Sequence, residues 1–88
     1  MIQKEVMILN RLGLHARPAA KFVKTAAQFK SDVFLGRNGM RINAKSIMGV
    51  MMLAAEYGAR LTLECVGEDE AQLCAELEKL IENKFYEE

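Results

Sequence analysis

The chain has 88 residues, of which 51% are hydrophobic and 27% are charged. This balance excludes a disordered chain, and the length allows one domain, which we predict to span residues 1–88. Twelve basic residues offset twelve acidic ones, so the charge favours neither nucleic acid nor an anionic membrane as a partner.

The first half of the chain alternates between strand-like and helix-like patterns. Apolar residues alternate with polar ones over residues 2–8, which predicts a half-buried strand. A helix is predicted over residues 16–29, because apolar residues recur there at spacings of three and four. Residues 31–37 and 40–43 are predicted strands, joined by Asn38-Gly39, a pair that accepts the positive φ of a tight hairpin turn.

The second half continues with a helix, a strand and a helix. Ser46 is the predicted N-cap of a helix running from Ile47 to about Ala55, which Gly58 ends. Residues 60–66 alternate and predict a fourth strand. Asp69, followed three residues later by Gln72, resembles a capping box at the start of the last helix. The acidic C-terminus, Glu87 and Glu88, is interpreted as a frayed end.

The predicted order is strand, helix, strand, strand, helix, strand, helix. One hairpin and right-handed crossovers fit a four-stranded sheet that is antiparallel or mixed. Each predicted strand has one dominant apolar face, so the helices should cover a single side of the sheet. We therefore predict an open-faced α/β (α+β) sandwich of βαββαβα order.

The segment around His15 carries the clearest chemistry, since it holds the only histidine and the only proline. Pro18 fits the first turn of a helix, so the helix should begin near Ala16 with His15 at its N-cap. There the imidazole lies beside the N–H groups of Ala16 and Arg17, which can bind an anion. The Arg17 guanidinium can also bind phosphate oxygens.

These features predict a histidine that accepts and releases a phosphoryl group, because neutral imidazole is both a nucleophile and a leaving group. An ordinary loop histidine beside a solvated Arg17 is the alternative for so short a motif. The sequence shows no phosphate-binding glycine loop and no cluster of metal-binding carboxylates. We therefore predict a substrate of phosphoryl transfer that needs no metal or cofactor and is not an enzyme.

The second predicted helix has more apolar residues than one buried stripe needs. Spacing assigns its buried face to Val50, Leu53, Ala54 and Tyr57. Exposure near His15 is then predicted for Ile47, Met48 and Met51, which form a candidate partner-binding surface. Ser46 has two interpretations that the sequence leaves open: a helix cap, worth about 1 kcal/mol, or a site of regulatory phosphorylation beside that surface.

The cysteines and the apolar segments indicate where in the cell the protein works. Cys65 and Cys74 fit neither a disulfide framework nor a zinc site, and we interpret both as reduced, partly buried thiols. No apolar run is long enough to cross a membrane, and Lys4 and Glu5 interrupt the apolar start of the chain. We therefore predict a cytoplasmic protein.

Two segments resemble a known family. Asn10-Arg11-Leu12-Gly13-Leu14-His15-Ala16-Arg17-Pro18-Ala19-Ala20 resembles the active-site segment of HPr, the histidine-containing phosphocarrier of the bacterial phosphoenolpyruvate-dependent sugar phosphotransferase system. Residues 42–51, Ile-Asn-Ala-Lys-Ser-Ile-Met-Gly-Val-Met, resemble that family's second motif, around a regulatory serine. Length and element order also fit, so the resemblance covers essentially the whole chain.

The resemblance implies that His15 takes phosphate from phospho-enzyme I and passes it to enzyme IIA domains in sugar uptake. It also implies a four-stranded antiparallel sheet covered on one side by three helices, and a monomer. If Ser46 is regulatory, a Ser46 kinase or phosphatase and a transcription regulator are further partners. Three residues near the second helix depart from the family pattern and bear on partner choice: Met52, Ala54 and Tyr57.

Three other functions stay open at this point. The chain could serve a nitrogen-related regulatory branch of the phosphotransferase system. It could instead be a purely regulatory binding module that is switched at Ser46 and leaves His15 idle. A small-ligand sensor on a ferredoxin-like sheet is the third, and it predicts a closed apolar pocket, for which 88 residues leave little volume.

Overall fold

The computed structural model describes residues 1–87. Within that range the chain forms β1 (Ile2–Met7), α1 (Ala16–Ala26), β2 (Asp32–Arg37), β3 (Met40–Asn43), α2 (Ile47–Met52), β4 (Arg60–Val66) and α3 (Glu70–Glu82). The predicted element order is confirmed. β3 and β4 also have the predicted bounds.

The strands form one sheet in the order β1-β4-β2-β3, and every neighbouring pair is antiparallel. β4 is central, with Cys65 opposite Ile2 on one side and Val33 on the other. Leu61 and Leu63 are buried, whereas Thr62 between them is only half-buried. This alternation shows that β4 turns its Leu61, Leu63 and Cys65 side chains toward the core.

All three helices lie over that one face. α3 packs against β1 and β4, and α1 packs against α2 and α3. On the other face, the Arg41 guanidinium lies 3.7 Å from the centroid of the Phe34 ring and donates to Glu64 at 3.0 Å. The predicted open-faced sandwich is therefore confirmed, with an antiparallel sheet. Within residues 1–87, no helix has the length and apolarity needed to cross a membrane.

Two helices end earlier than predicted. α1 stops at Ala26, not residue 29, because the amides of Gln28 and Phe29 bond to carbonyls three residues back. α2 stops at Met52, not near residue 55, because the chain reverses at Ala54, where φ is +48°.

The buried face predicted for α2 is only half correct. Val50 and Leu53 are buried, with exposed fractions of 0% and 5%. Ala54 is exposed, and Tyr57 is 64% exposed. The reversal at Ala54 explains the error, since residues beyond it no longer follow the helical spacing that placed them on the buried face.

The capping box predicted at Asp69 is wrong. Asp69 is the N-cap of α3, but its carboxylate makes no bond to the first turn of that helix. It accepts instead from the N–H groups of Lys30 and Ser31, each at 2.9 Å, and from the Ser31 hydroxyl. The carboxylate thus ties the start of α3 to the loop before β2.

The chain beyond α3 is ordered in an unusual conformation. Lys84, Phe85 and Tyr86 have φ values of +55°, +55° and +58°. Phe85 is fully buried, and its carbonyl accepts a hydrogen bond from Lys21 Nζ at 2.7 Å. The turn therefore holds the C-terminal segment against α1.

Candidate functional site

The loop between β1 and α1 is fixed by the buried side chain of Asn10. Its Nδ2 donates to the carbonyl of Gly13 at 2.6 Å and to Oε1 of Glu87 at 3.3 Å. Both partners are acceptors, so the amide nitrogen must be the atom that faces them. Asn10 therefore connects this loop to the C-terminal segment.

The same loop packs against the chain that follows α2. Gly13 has a φ of +73°, and a Cβ there would overlap the carbonyl oxygen of Ala55. Leu14 donates its N–H to that same carbonyl at 2.8 Å. Only glycine satisfies both the positive φ and the close approach, so the sequence Gly13-Leu14 sets the position of the residue that comes next.

That next residue, His15, is the N-cap of α1, as predicted. Its backbone is extended, with φ −82° and ψ −171°, and its carbonyl accepts the N–H of Ala19 at 3.0 Å. The imidazole makes no capping hydrogen bond. The ring is therefore free to face away from the helix.

The two ring nitrogens of His15 have different surroundings. Nε2 is shielded from solvent, lies 3.4 Å from Oε1 of Glu87, and has no well-formed hydrogen bond within residues 1–87. The side chain as a whole is nevertheless 38% exposed. The exposed part of the side chain therefore does not include Nε2, which leaves Nδ1 as the ring nitrogen that solvent can reach.

The imidazole opens onto a surface pocket of about 440 Å³, lined by Arg11, Leu12, His15, Arg17 and Glu87. Arg17 is exposed, and no group in residues 1–87 forms an ion pair or hydrogen bond with its guanidinium. The N–H groups of Ala16 and Arg17 belong to the first turn of α1, where an α-helix provides no partner for them. The pocket thus combines the His15 ring and the free Arg17 guanidinium, and the N–H donors at the start of α1 lie next to it in the chain. It is suited to an anion.

Glu87 is the member of this pocket that the sequence did not indicate. The interpretation of this residue as a frayed end is wrong, because its side chain is only 12% exposed and contacts both Asn10 and His15. No periodicity or motif leads from α3 to Glu87, so no sequence pattern could have placed it there. Glu88 lies outside the described residues.

Ser46 caps α2 as predicted. Its Oγ accepts the N–H of Gly49 at 3.1 Å, and the residue is exposed. Ile47, Met48 and Met51 are 42%, 77% and 43% exposed, as the spacing predicts. Because α2 packs on α1, whose N-cap is His15, this apolar surface and the pocket belong to neighbouring helices.

Both cysteines are free thiols, as predicted, but they are fully buried and not partly buried. Burial raises the pKa of Cys65 to about 12, with a further contribution from the neighbouring Cys74 thiol. Burial also raises the pKa of Cys74. A thiol that stays protonated is a poor nucleophile, so these residues pack the interface of β4 and α3 and take no part in the site.

Comparison with known proteins gives a consistent result. Residues 2–83 match the family model described as the PTS HPr component phosphorylation site. The chain is 50% identical over 88 residues to the phosphocarrier protein HPr of Treponema pallidum (strain Nichols), with all of both chains covered.

Two solved structures from Thermoanaerobacter tengcongensis are similar to the chain. HPr-C-His has a TM-score of 0.96 and 44% identity, covering 100% of this chain and 99% of that one. An HPr dimer has a TM-score of 0.77 and 44% identity, covering 97% and 98% of the two chains.

The fold, the family match and the similar proteins together define a small phosphoryl carrier of the phosphotransferase system, which transfers a phosphoryl group and is not itself an enzyme. The chain belongs to the HPr family.

Proposed function

We propose that His15 carries the phosphoryl group and that Nδ1 is the nitrogen that bonds to phosphorus. The observation that supports this most directly is the placement of the ring at the N-cap of α1, where Nε2 is shielded from solvent while the partly exposed side chain lines the pocket. Arg17 is the electrostatic partner of the transferred group, since its guanidinium lines the same pocket and is unengaged by residues 1–87.

The transfer needs alignment and charge stabilisation more than covalent chemistry from the protein. The lone pair of His15 attacks phosphorus as the donor leaves on the opposite side. The N–H groups of Ala16 and Arg17 and the Arg17 guanidinium then stabilise the negative oxygens. Because the pocket is open at the surface, these contacts are solvated, and their modest strength lets the group pass on to an acceptor.

In this role residues 1–88 act as one domain that accepts phosphate from phospho-enzyme I and delivers it to enzyme IIA domains in the cytoplasm. Sugar uptake is the process served. The working form is a monomer, because a carrier must present the same pocket to a donor and then to an acceptor.

The surface of Ile47, Met48 and Met51 is the docking site for these partners. Its side chains are exposed and apolar, and methionine adapts to differently shaped partner surfaces. Phosphorylation of Ser46 would place a dianion at the edge of this surface and weaken docking on an acidic partner face. A Ser46 kinase or phosphatase and a transcription regulator would then be additional partners.

The other two classes of function fit the structure less well. A purely regulatory module has no use for a histidine that lines a surface pocket together with Arg17 and Glu87. A small-ligand sensor needs an enclosed apolar cavity, whereas the pocket here is lined by exposed Arg11, Leu12 and Arg17.

The decisive experiment is incubation with phosphoenolpyruvate and enzyme I, followed by intact-mass analysis. One acid-labile phosphoryl adduct should form on the wild-type protein and be absent from His15→Ala. Arg17→Ala should slow the transfer roughly tenfold or more, the effect of losing one charge-assisted hydrogen bond. Lys24→Ala, which removes an exposed cation of α1 outside the pocket, is the matched control and should transfer at the wild-type rate.

A further inference from the structure

The C-terminal segment, residues 83–87, adopts a backbone that its sequence does not favour. Lys84, Phe85 and Tyr86 all lie in the left-handed region, where side chains of L-residues are strained. The conformation is maintained by the complete burial of Phe85 and by the hydrogen bond from Lys21 to the Phe85 carbonyl. Strain of this kind persists where the surrounding structure fixes it, and it often marks a functional position.

The outcome of this turn is the placement of Glu87. Its side chain is 12% exposed, and its Oε1 accepts from Asn10 Nδ2 at 3.3 Å while lying 3.4 Å from Nε2 of His15. Nε2 is shielded from solvent, so Glu87 is the one acceptor within residues 1–87 that the structure places at this nitrogen. At 3.4 Å the contact is longer than a strong hydrogen bond, as such contacts often are before the reacting complex forms.

We propose that Glu87 is a positioning residue for His15: its carboxylate accepts a hydrogen bond from the Nε2–H of His15 and stabilises the ring when that ring becomes charged. This inference rests on the proposed role of His15 in phosphoryl transfer. A carboxylate that fixes the tautomer and orientation of an imidazole and stabilises its cation is a general device in enzymes that use histidine.

The Glu87 carboxylate stabilises a positive charge that appears on the His15 ring during phosphoryl transfer. Neutral His15 holds a proton on Nε2 and a lone pair on Nδ1. That lone pair forms the bond to phosphorus, and the donor departs with the electron pair of the bond that breaks. The ring keeps its Nε2 proton and now carries one positive charge, which faces Glu87 and contracts the 3.4 Å contact. Transfer to the acceptor returns the lone pair to Nδ1 and makes the ring neutral again.

The test uses the full-length chain, with Glu87→Ala, Glu87→Gln and a matched control, Glu76→Gln. Glu76 is an exposed carboxylate of α3 that forms no ion pair or hydrogen bond within residues 1–87. Two quantities are measured. The first is the tautomer of the neutral His15 ring, from nitrogen-15 NMR of labelled protein in alkaline buffer. The second is the equilibrium constant for phosphoryl exchange with enzyme I.

The wild-type ring should show only the tautomer protonated on Nε2. Glu87→Ala should add a second population protonated on Nδ1 and shift the exchange equilibrium roughly fivefold to tenfold toward phospho-enzyme I. Glu87→Gln retains an acceptor but not the charge, so it should keep the single tautomer and still shift the equilibrium. Glu76→Gln should change neither quantity.

An unchanged tautomer in Glu87→Ala, or an unchanged equilibrium in Glu87→Gln, would overturn the proposed role of Glu87. Neither result would affect the role of His15, which depends on whether His15→Ala still receives phosphate. The two proposals therefore fail in different experiments.

Discussion

Gly13 lies so close to Ala55 that a methyl group on Gly13 would overlap the Ala55 carbonyl oxygen. That carbonyl also accepts the N–H of Leu14 at 2.8 Å. On the other side of this segment, Arg37 donates to the carbonyls of Leu53 and Ala54, both at 3.2 Å. The backbone after α2 is thus held by Arg37 and in turn fixes the loop that carries His15.

Gly13→Ala should therefore damage both stability and transfer. The residue would have to keep a φ of +73°, and its Cβ would force the loop away from Ala55. Together the two effects should lower the free energy of unfolding by about 2–4 kcal/mol. Urea unfolding measures this change, and the rate of phosphorylation by enzyme I should fall as His15 moves.

The variant Gly39→Ala separates the cost of the positive φ from the cost of the contact with Ala55. Gly39 has a similar φ of +83°, but a Cβ there meets no atom within 4 Å. Its cost should be limited to about 1 kcal/mol of backbone strain, and phosphorylation should be unaffected because Gly39 lies in the hairpin between β2 and β3. Equal losses in the two variants would show that the contact with Ala55 is unimportant.

The sequence predicted the parts of this site that depend on local rules. Pro18 located the start of α1 and so placed His15 at its N-cap, because proline fits only the first turn of a helix. Polar and apolar residues alternate from Arg60 to Cys65, and this pattern predicted the observed bounds of β4. The opposite case is Asp69, whose spacing to Gln72 suggested a local cap although its true partners precede β2.

Glu87 shows why the remainder could not be predicted. Its contact with His15 requires that Phe85 be buried against α1 and that three consecutive residues take positive φ. Both conditions are set by tertiary packing, which no local propensity encodes. Ala54 was also mispredicted for a non-local reason. The helical spacing predicted that α2 continues past Ala54, but the chain reverses at that residue.

Ala54→Gly should stabilise the protein. Ala54 follows the C-cap of α2 with a φ of +48°, a position that helices usually fill with glycine. Relief of the strain should exceed the entropy that glycine adds to the unfolded chain, for a net gain of about 0.5 kcal/mol. Thermal unfolding measures the gain. Ala75→Gly, at an exposed position in the interior of α3, should have the opposite sign, since glycine weakens a helix interior.

Substitution of Ser46 should separate its structural role from its charge. Ser46→Ala removes the acceptor for the Gly49 N–H and should cost about 1 kcal/mol in unfolding free energy. Ser46→Asp keeps an acceptor at the cap, so its stability should stay near that of wild type. Phosphorylation by enzyme I should be slower for Ser46→Asp than for Ser46→Ala. Equal rates would remove the case for a charge switch.

Substitutions in the apolar surface of α2 should change partner binding and leave stability almost unchanged. Met48 is 77% exposed and Met51 is 43% exposed, so truncation to alanine should change stability by less than about 0.5 kcal/mol. Both variants should nevertheless bind enzyme I more weakly, as titration calorimetry can show. Met40→Ala is the control, because Met40 is 44% exposed but lies on β3. Loss of binding in Met40→Ala alone would place the docking site elsewhere.

Acid stability should depend on Asp69. Hydrogen bonds from the Ser31 hydroxyl and the Lys30 N–H hold the pKa of this carboxyl at about 2, below its ordinary 3.8. A carboxyl whose pKa is lower in the folded state stabilises the protein above its unfolded-state pKa, and that contribution is lost as pH falls toward the folded-state value. The stabilising contribution of Asp69 should thus be complete above about pH 4 and disappear as the pH falls to about 2.

Asp69→Asn removes this titration, so its urea midpoint should be lower than that of wild type at pH 7 and should fall less steeply between pH 4 and pH 2. Asp32→Asn is the matched control, since Asp32 is exposed and its carboxylate has no hydrogen-bond or ion-pair partner within residues 1–87. Its profile should follow the wild-type curve. If the urea midpoint of Asp69→Asn also follows the wild-type curve, the lowered pKa of Asp69 does not contribute to the stability of the fold. Other contacts would then hold α3 to the loop before β2.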